Sequence, residues 1–341
     1  YYDYLTTNYN FPDHAYNGFV ITNPTYPFDK PEHRLLSYYG RLIYTFDDKY
    51  LLTGTIRRDG SSRFGPSNRF AVFPSAAFAW KIHEESFLKD NRVLSDLKLR
   101  IGYGITGQQD GIGNYDYITY YGLSNQTAQY QLGSTFYQLY RPGGSYAPRK
   151  WEQTATTNIG IDYGFLNGRI SGSIDAYYKN TTNLLNNVTL AAGAGFTNSI
   201  IANVGDMTNH GIEFAINGQV VREKDLNWDV AFNATYTENK ITKLTFVSDP
   251  TSPGNKTGNV SGGTGNTIQI NSLDYPRNSF FAYQQVYDAS GKPVDGVLVE
   301  RNGDGTINEK DLYHYKSPEP KFVLGFSSSV NYKKWSAGVV M

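Results

Sequence analysis

Glu300, Asn302, Asp304, Thr306 and Asp311 occupy positions 1, 3, 5, 7 and 12 of one run, with Gly305 at position 6 and Ile307 at position 8. Oxygen ligands at those positions, a glycine for the sharp turn and an apolar residue after it make the spacing of a calcium loop. The spacing predicts a structural Ca²⁺ that stiffens residues 300–311. Two departures weaken the match: Glu replaces Asp at the first position, and the shorter Asp replaces Glu at the twelfth. The same Asn, Asp and Gly content also suits a turn that needs no metal.

Other chemistry is sparse. Gly102-Tyr-Gly104-Ile-Thr-Gly107 fits G-x-G-x-x-G, but it ends a strand pattern and enters a loop, so the helix a dinucleotide site needs is missing. These glycines read instead as a thin wall where a plug or neighbour approaches closely. The five histidines share no ligand spacing. No Ser/His/Asp set declares itself, and the nucleophile-elbow motif is absent. The chain does not read as an enzyme. Long-loop aromatics, among them Tyr120, Tyr121, Tyr140 and Trp151, have rings that suit sugar faces, and rings also simply pack loops together.

The elements that must position these residues are strands. Thr154–Tyr178 reads TATTNIGIDYGF, LNG, RISGSIDAYY. Ile159, Ile161, Tyr163 and Phe165 alternate with Asn158, Gly160, Asp162 and Gly164, a period of two. Leu166-Asn167-Gly168 supplies the turn of a long antiparallel hairpin. The same alternation marks 41–46, 52–56, 70–80, 97–105, 212–220, 228–236 and 322–332, and a final strand follows Lys333-Lys334. Pro74 marks an edge or a bulge. Residues 84–94 suit one or two helical turns. Residues 180–209 and 241–318 read as long connections. Short turns near residues 47, 166, 225 and 333 alternate with long loops near 60, 128, 195 and 280.

The 341 residues include no Cys, which removes disulfides and thiol chemistry. Lys+Arg and Asp+Glu are equal at 31 each, which argues against a nucleic-acid partner. No apolar run approaches the roughly 18 residues of a membrane helix. A membrane β-barrel gives lipid only every second residue, so its average polarity is no objection. Strands of about 10–14 residues, longer than the usual 5–6, predict an all-β, transmembrane antiparallel β-barrel with short periplasmic turns and long extracellular loops. Lys98, Arg100, Asp162, Asp175, Glu213, Asn217, Asp229 and Asn233 would line a wet lumen. A soluble β-sandwich alternates too and remains the rival. About ten strands cannot close a wide barrel alone, and both chain ends read as cut.

Asp29–Trp80 contains Arg58-Asp59-Gly60-Ser61-Ser62-Arg63-Phe64-Gly65 followed by Phe-Pro-Ser and Ala-Trp. This stretch, with 95–108, 203–217 and 302–332, resembles the SusC/RagA family of TonB-dependent outer-membrane transporters of the Bacteroidota. The resemblance implies a barrel of about 22 strands with a plugged lumen, and a TonB box ahead of the plug. It also implies a SusD-like surface lipoprotein as a lid, and oligosaccharide or peptide cargo. Residues 1–341 would be the C-terminal portion of that barrel domain, with the N-terminal plug and TonB box absent from this chain. A passive porin and a soluble carbohydrate-binding β-sandwich are the alternative functions.

Overall fold

In the computed structural model the described residues are 32–89, 91–118, 121–123, 127, 129–190, 199–246, 252–261 and 267–341. Ten strands form one continuous wall: β1 (Leu35–Phe46), β2 (Tyr50–Ser61), β3 (Phe70–Lys81), β4 (Leu94–Gln108), β5 (Glu152–Phe165), β6 (Ile170–Thr189), β7 (Ser199–Arg222), β8 (Leu226–Lys243), β9 (Phe322–Tyr332) and β10 (Trp335–Val340). Each pairs antiparallel with its neighbour in chain order, and among the described residues β1 and β10 pair on one side only.

The register explains the sequence. One row crosses nine strands as Tyr44, Leu52, Phe78, Ile101, Ile159, Ala176, Ile212, Tyr236 and Phe322. Every member is apolar or aromatic. The adjacent row, on the opposite face, runs through Ala79, Arg100, Gly160, Asp175, Glu213 and Thr235. The apolar row is bare: Ile159 is 50 % exposed, Ile212 54 % and Phe322 67 %. No second sheet covers it among the described residues, so the dry sandwich fails. Lipid is the medium that makes such a face favourable, at roughly 1.5–3 kcal/mol per large side chain removed from water. Aromatics gather at the short-turn end, where Tyr50 stacks on Trp80 at 6.2 Å and Tyr332 pairs with Trp335. That is the girdle expected at a membrane interface.

Turns at 47–49, 166–169, 223–225 and 333–334 close one end of the wall. Residues 166–168 turn with φ of 54°, 55° and 75°, the left-handed region that Asn167 and Gly168 tolerate. The connection between β3 and β4 lies at the same end and holds a 3-10 turn, Ile82–Glu84, followed by a helical turn in which Leu88 N and Lys89 N donate to Glu85 O, both at 2.9 Å. The loop 62–69 and the described parts of 109–151 and 244–321 lie at the other end.

Three expectations need correction. Residues 180–209 are mostly strand, because β6 and β7 extend to 20 and 24 residues. A membrane span needs only about 9–11, so these strands rise beyond the bilayer. There lipid no longer dictates which side chains are apolar: Ala202 and Val204 are buried and Leu185 packs against the Phe64 cluster, but the strict alternation that marks a lipid-facing strand disappears. The exit is marked by register shifts around Leu184 and by Asn183 at φ 60°. Pro74 lies in an interior strand, not at an edge of the sheet. However, pairing of β3 with β4 stops at Ser75–Gly104, so the missing N–H falls where the ladder is already interrupted. Finally, 244–321 is a small all-β unit of its own. Asn255–Asn259, Thr267–Asn271, Ser279–Ala282 and Tyr313–His314 form a four-stranded sheet, beside a hairpin of Gln285–Tyr287 with Pro293–Leu298.

Candidate functional site

Facing the lumen, the central strands carry a charge network. The Lys98 ammonium lies 2.7 Å from Asp162. Arg100 donates through Nη2 to Asp162 at 2.7 Å and to Asp175 at 3.0 Å, and through Nε to Asp162 at 2.9 Å. One guanidinium on β4 thus ties two carboxylates on β5 and β6. Gly160 permits it, since a Cβ there would meet Asp175 Oδ1 at 2.2 Å and Arg100 Nη2 at 2.8 Å. Glu213, opposite Asp175 in the register, takes no part in the network and is exposed. Asn217, Asp229 and Asn233 lie on the same face of β7 and β8. Tyr177 also points inward, lying over Gly211 and donating to Thr237 Oγ1 at 3.0 Å. A wall this polar suits water, a plug and passing polar cargo, not a packed core.

At the extracellular rim the Arg58–Gly65 stretch is a folding device. Asp59 is buried and accepts both contacts from Arg57 Nε, at 2.7 and 2.8 Å. Arg58 sits over the Phe70 ring at 4.7 Å, and that ring also fills the space beside Gly60. Ser61 is fully buried and its Oγ accepts from Arg63 N, while Ser62 Oγ accepts from Arg34 N at 2.8 Å. Gly65 passes Ala147 O so closely that a Cβ would stand 3.1 Å from it. Phe64 is fully buried in a cluster with Phe73, Ile112 and Trp151. Gly107 of the G-x-G-x-x-G run makes room for the Phe73 ring, while Gly102 faces open space.

Trp151 is therefore corrected as a sugar platform. It is buried, stacked on Phe64, edge-on to Phe73, and donates from Nε1 to Arg69 O. Tyr140 is 68 % exposed, and among the described residues no other ring stacks on it. Tyr121 opens the short strand Tyr121–Leu123, and Tyr120 lies outside the described residues. Sequence reasoning missed Arg149, a buried guanidinium that donates to Ile201 O at 2.9 Å and lies 3.2 Å from Asp116. Nothing in a Pro-Arg-Lys-Trp run signals such a tie.

The 300–311 loop closes on its own hydrogen bonds. Asp311 is fully buried, and its carboxylate accepts from the backbone of Arg301 at 2.7 Å, Asn302 at 3.3 Å and Asn308 at 2.8 Å. Those donors hold its pKa below the usual carboxylate range, Asn308 N foremost. Asp304 accepts from Thr306 N at 2.9 Å and from the side chains of Asn302 and Asn308, both at 3.0 Å, and its pKa is lowered with the Asn308 contact as first cause. Glu300 accepts from Asp304 N at 3.0 Å. Among the described residues, no three Asp, Glu or His side chains converge as a metal site would require. In this arrangement the twelfth-position carboxylate faces the main chain.

An apolar outer face, a wet inner face, tight turns at one end and folded loops at the other define an outer-membrane β-barrel wall. Residues 1–339 match the family model described as TonB dependent receptor-like, beta-barrel. The chain belongs to the TonB-dependent receptors, in their SusC/RagA branch. It is 46 % identical over 301 residues to the TonB-dependent receptor SusC of Bacteroides thetaiotaomicron, covering 88 % of this chain and 30 % of SusC. It is 34 % identical over 317 residues to the TonB-dependent receptor P26 of Formosa agariphila, covering 88 % and 30 %. The solved structure of the RagAB peptide transporter superposes with a TM-score of 0.74 at 26 % identity, over 95 % of this chain and 35 % of that one. The chain spans about a third of the length of the relatives it matches.

Proposed function

We propose that the whole protein is a TonB-dependent importer of oligosaccharides or peptides, taken from a SusD-like surface lipoprotein and passed through the barrel to the periplasm. The observation that supports this best is the charged, polar face of β4 to β8, behind which apolar side chains form rows on the opposite face. The likeness to SusC and to a peptide transporter supports the cargo classes. The exposed Tyr140 supplies a ring for stacking on cargo at the rim. Energy would come from TonB acting through a plug and TonB box.

Uptake of labelled oligosaccharides and peptides tests this reading, in cells with and without the gene and with and without TonB. Import should need both. Import that survives loss of TonB would make the protein a passive porin.

We further propose a structural Ca²⁺ at 300–311, supported by ligand spacing alone. It would draw on Glu300, Asn302, Asp304, the Thr306 carbonyl and Asp311, and Asp311 would have to give up backbone contacts. Hydrogen exchange of the loop, with added Ca²⁺ and with chelator, should show protection that follows the metal and disappears in Asp304→Asn. Identical protection in all conditions removes the ion.

A further inference from the structure

The geometry points to a phospholipid site on the outer face of the wall, between β6, β7 and β8, with the lipid phosphate held by Arg169. A groove of about 380 Å³ opens there, within the roughly 300–1,000 Å³ range of small-molecule sites. Its lining is mostly apolar, with Leu166, Ile170, Ile216, Val220, Val230 and Phe232, and Arg169 and Gln219 close it at one end. In the register Gly218 stands between Ile170 and Val230 on the lipid-facing side. A Cβ at Gly218 would meet nothing within 4 Å, so the missing side chain is the notch itself.

The polar end is built as well. A register shift between Gln219 and Val221 bends β7. Two carbonyls in the bend fix the Arg169 guanidinium: Nε donates to Gln219 O at 2.9 Å and Nη2 to Val220 O at 2.7 Å. A guanidinium has five N–H donors, so some remain for a further acceptor. Arg169 is exposed, lies in the turn at the periplasmic end where it borders both the outer groove and the luminal pocket of Ser171, Asn217 and Asp229, and makes no ion pair among the described residues. A fixed cation at the water edge of a hydrocarbon-facing groove suits an amphiphile with an anionic head. Arginine binds phosphate in a fork geometry that lysine does not match. The periplasmic-end position selects a membrane phospholipid over soluble phosphate, because the groove continues into the bilayer.

This goes beyond the import reading and does not depend on it, since the readout is bound lipid. The full-length protein would be reconstituted in nanodiscs containing phosphatidylethanolamine, moved into mild detergent, and weighed by native mass spectrometry. One retained phospholipid per chain is expected. Gly218→Leu, which fills the notch, should abolish retention. Arg169→Gln should lower it about tenfold, the worth of one charge-assisted hydrogen bond. Gly54→Leu, on the same face with equally open space, should retain the lipid and shows that the barrel folds with such a change. Equal retention in all variants overturns the site. So does loss in Gly218→Leu with full retention in Arg169→Gln, which would mean a hydrocarbon notch without a headgroup. A second copy of the chain released by Gly218→Leu overturns it too.

Discussion

The ring of Trp151 stacks on that of Phe64 with centroids 4.9 Å apart, and Phe73 meets it edge-on at 5.7 Å. The loop after β2 is thereby locked to the end of the long loop before β5. Trp151→Ala or Phe64→Ala should cost about 3–5 kcal/mol, the usual price of a large aromatic cavity. The loss should appear as protease cuts in 109–151 while the wall stays folded. Weakened cargo binding by Trp151→Ala with the loops still protected would show that the ring contacts ligand after all.

Ile159 and Asn158 are neighbours in β5 that face opposite media. Ile159→Arg puts a guanidinium against hydrocarbon and should cost about 2–4 kcal/mol near the bilayer centre. Asn158→Arg puts the same group in the wet lumen and should fold almost normally. Refolding into lipid vesicles, followed by a shift of the unheated band on a gel, reads both. Equal effects would mean that the faces are misassigned.

Arg100 joins Asp162 and Asp175 across three strands, and Gly160 is the space it needs. Gly160→Ala forces the network apart and should destabilise the wall by about 1–3 kcal/mol, as small-to-large changes in packed sites do. Arg100→Gln leaves two carboxylates facing each other with only Lys98 nearby. A double-mutant cycle of Arg100→Gln with Asp175→Asn should show coupling. Thermal melts that simply add would mean the pair is held by the strands and does nothing for them.

How much of this was legible beforehand depended on lipid. Within the bilayer Ile159, Ile161, Ile174 and Phe214 must face hydrocarbon and Asp162, Asp175 and Lys98 must not, so alternation located the wall strands up to β9, and the Lys333-Lys334 turn located β10. Beyond the bilayer that constraint ends. Thr181, Asn186 and Asn187 remain in β6, but no lipid constrains their faces, and their sequence looks like a loop. The small sheet within 244–321 has strands of two to five residues, too short for a period to show. At the rim, composition marked Trp151 as an aromatic without saying whether its faces were free. That depends on Phe64 and Phe73, which only the fold brings to it.

Asp311 makes the 300–311 loop pH-sensitive. Its folded pKa lies below the unfolded value of about 3.9. Its stabilisation is thus present above that value and is lost as pH falls through the folded pKa. Asp311→Asn replaces one acceptor oxygen by a donor that faces a backbone N–H. The variant's loop should exchange its amides as fast near neutral pH as the wild-type loop does in acid. A wild-type loop whose exchange free energy does not change below about pH 4 would show that the carboxylate is not what holds it.

His314 should give a second transition in a different range. Its ring stacks on Tyr275 at 3.6 Å and an angle of 7°, with Phe281 tilted against it at 5.0 Å. Its Nε2 lies 2.5 Å from the buried Ser272 Oγ. Burial pushes its pKa below the ordinary value of about 6.5. The folded state therefore prefers the neutral ring, and the unfolded state binds more protons between the two pKa values. Stability from this group is complete above about pH 6.5 and falls as the pH drops toward the folded value. Amides of 267–271, 279–282 and 313–314 should lose protection together as the pH falls below about 6.5. His314→Phe keeps an aromatic stack and cannot titrate, so its protection should stay level across that range. The Ser272 hydroxyl loses its partner in that variant, so overall protection should drop at every pH. The pH slope is the readout that separates titration from packing. A slope that survives in His314→Phe would assign the transition to another group in the loop unit.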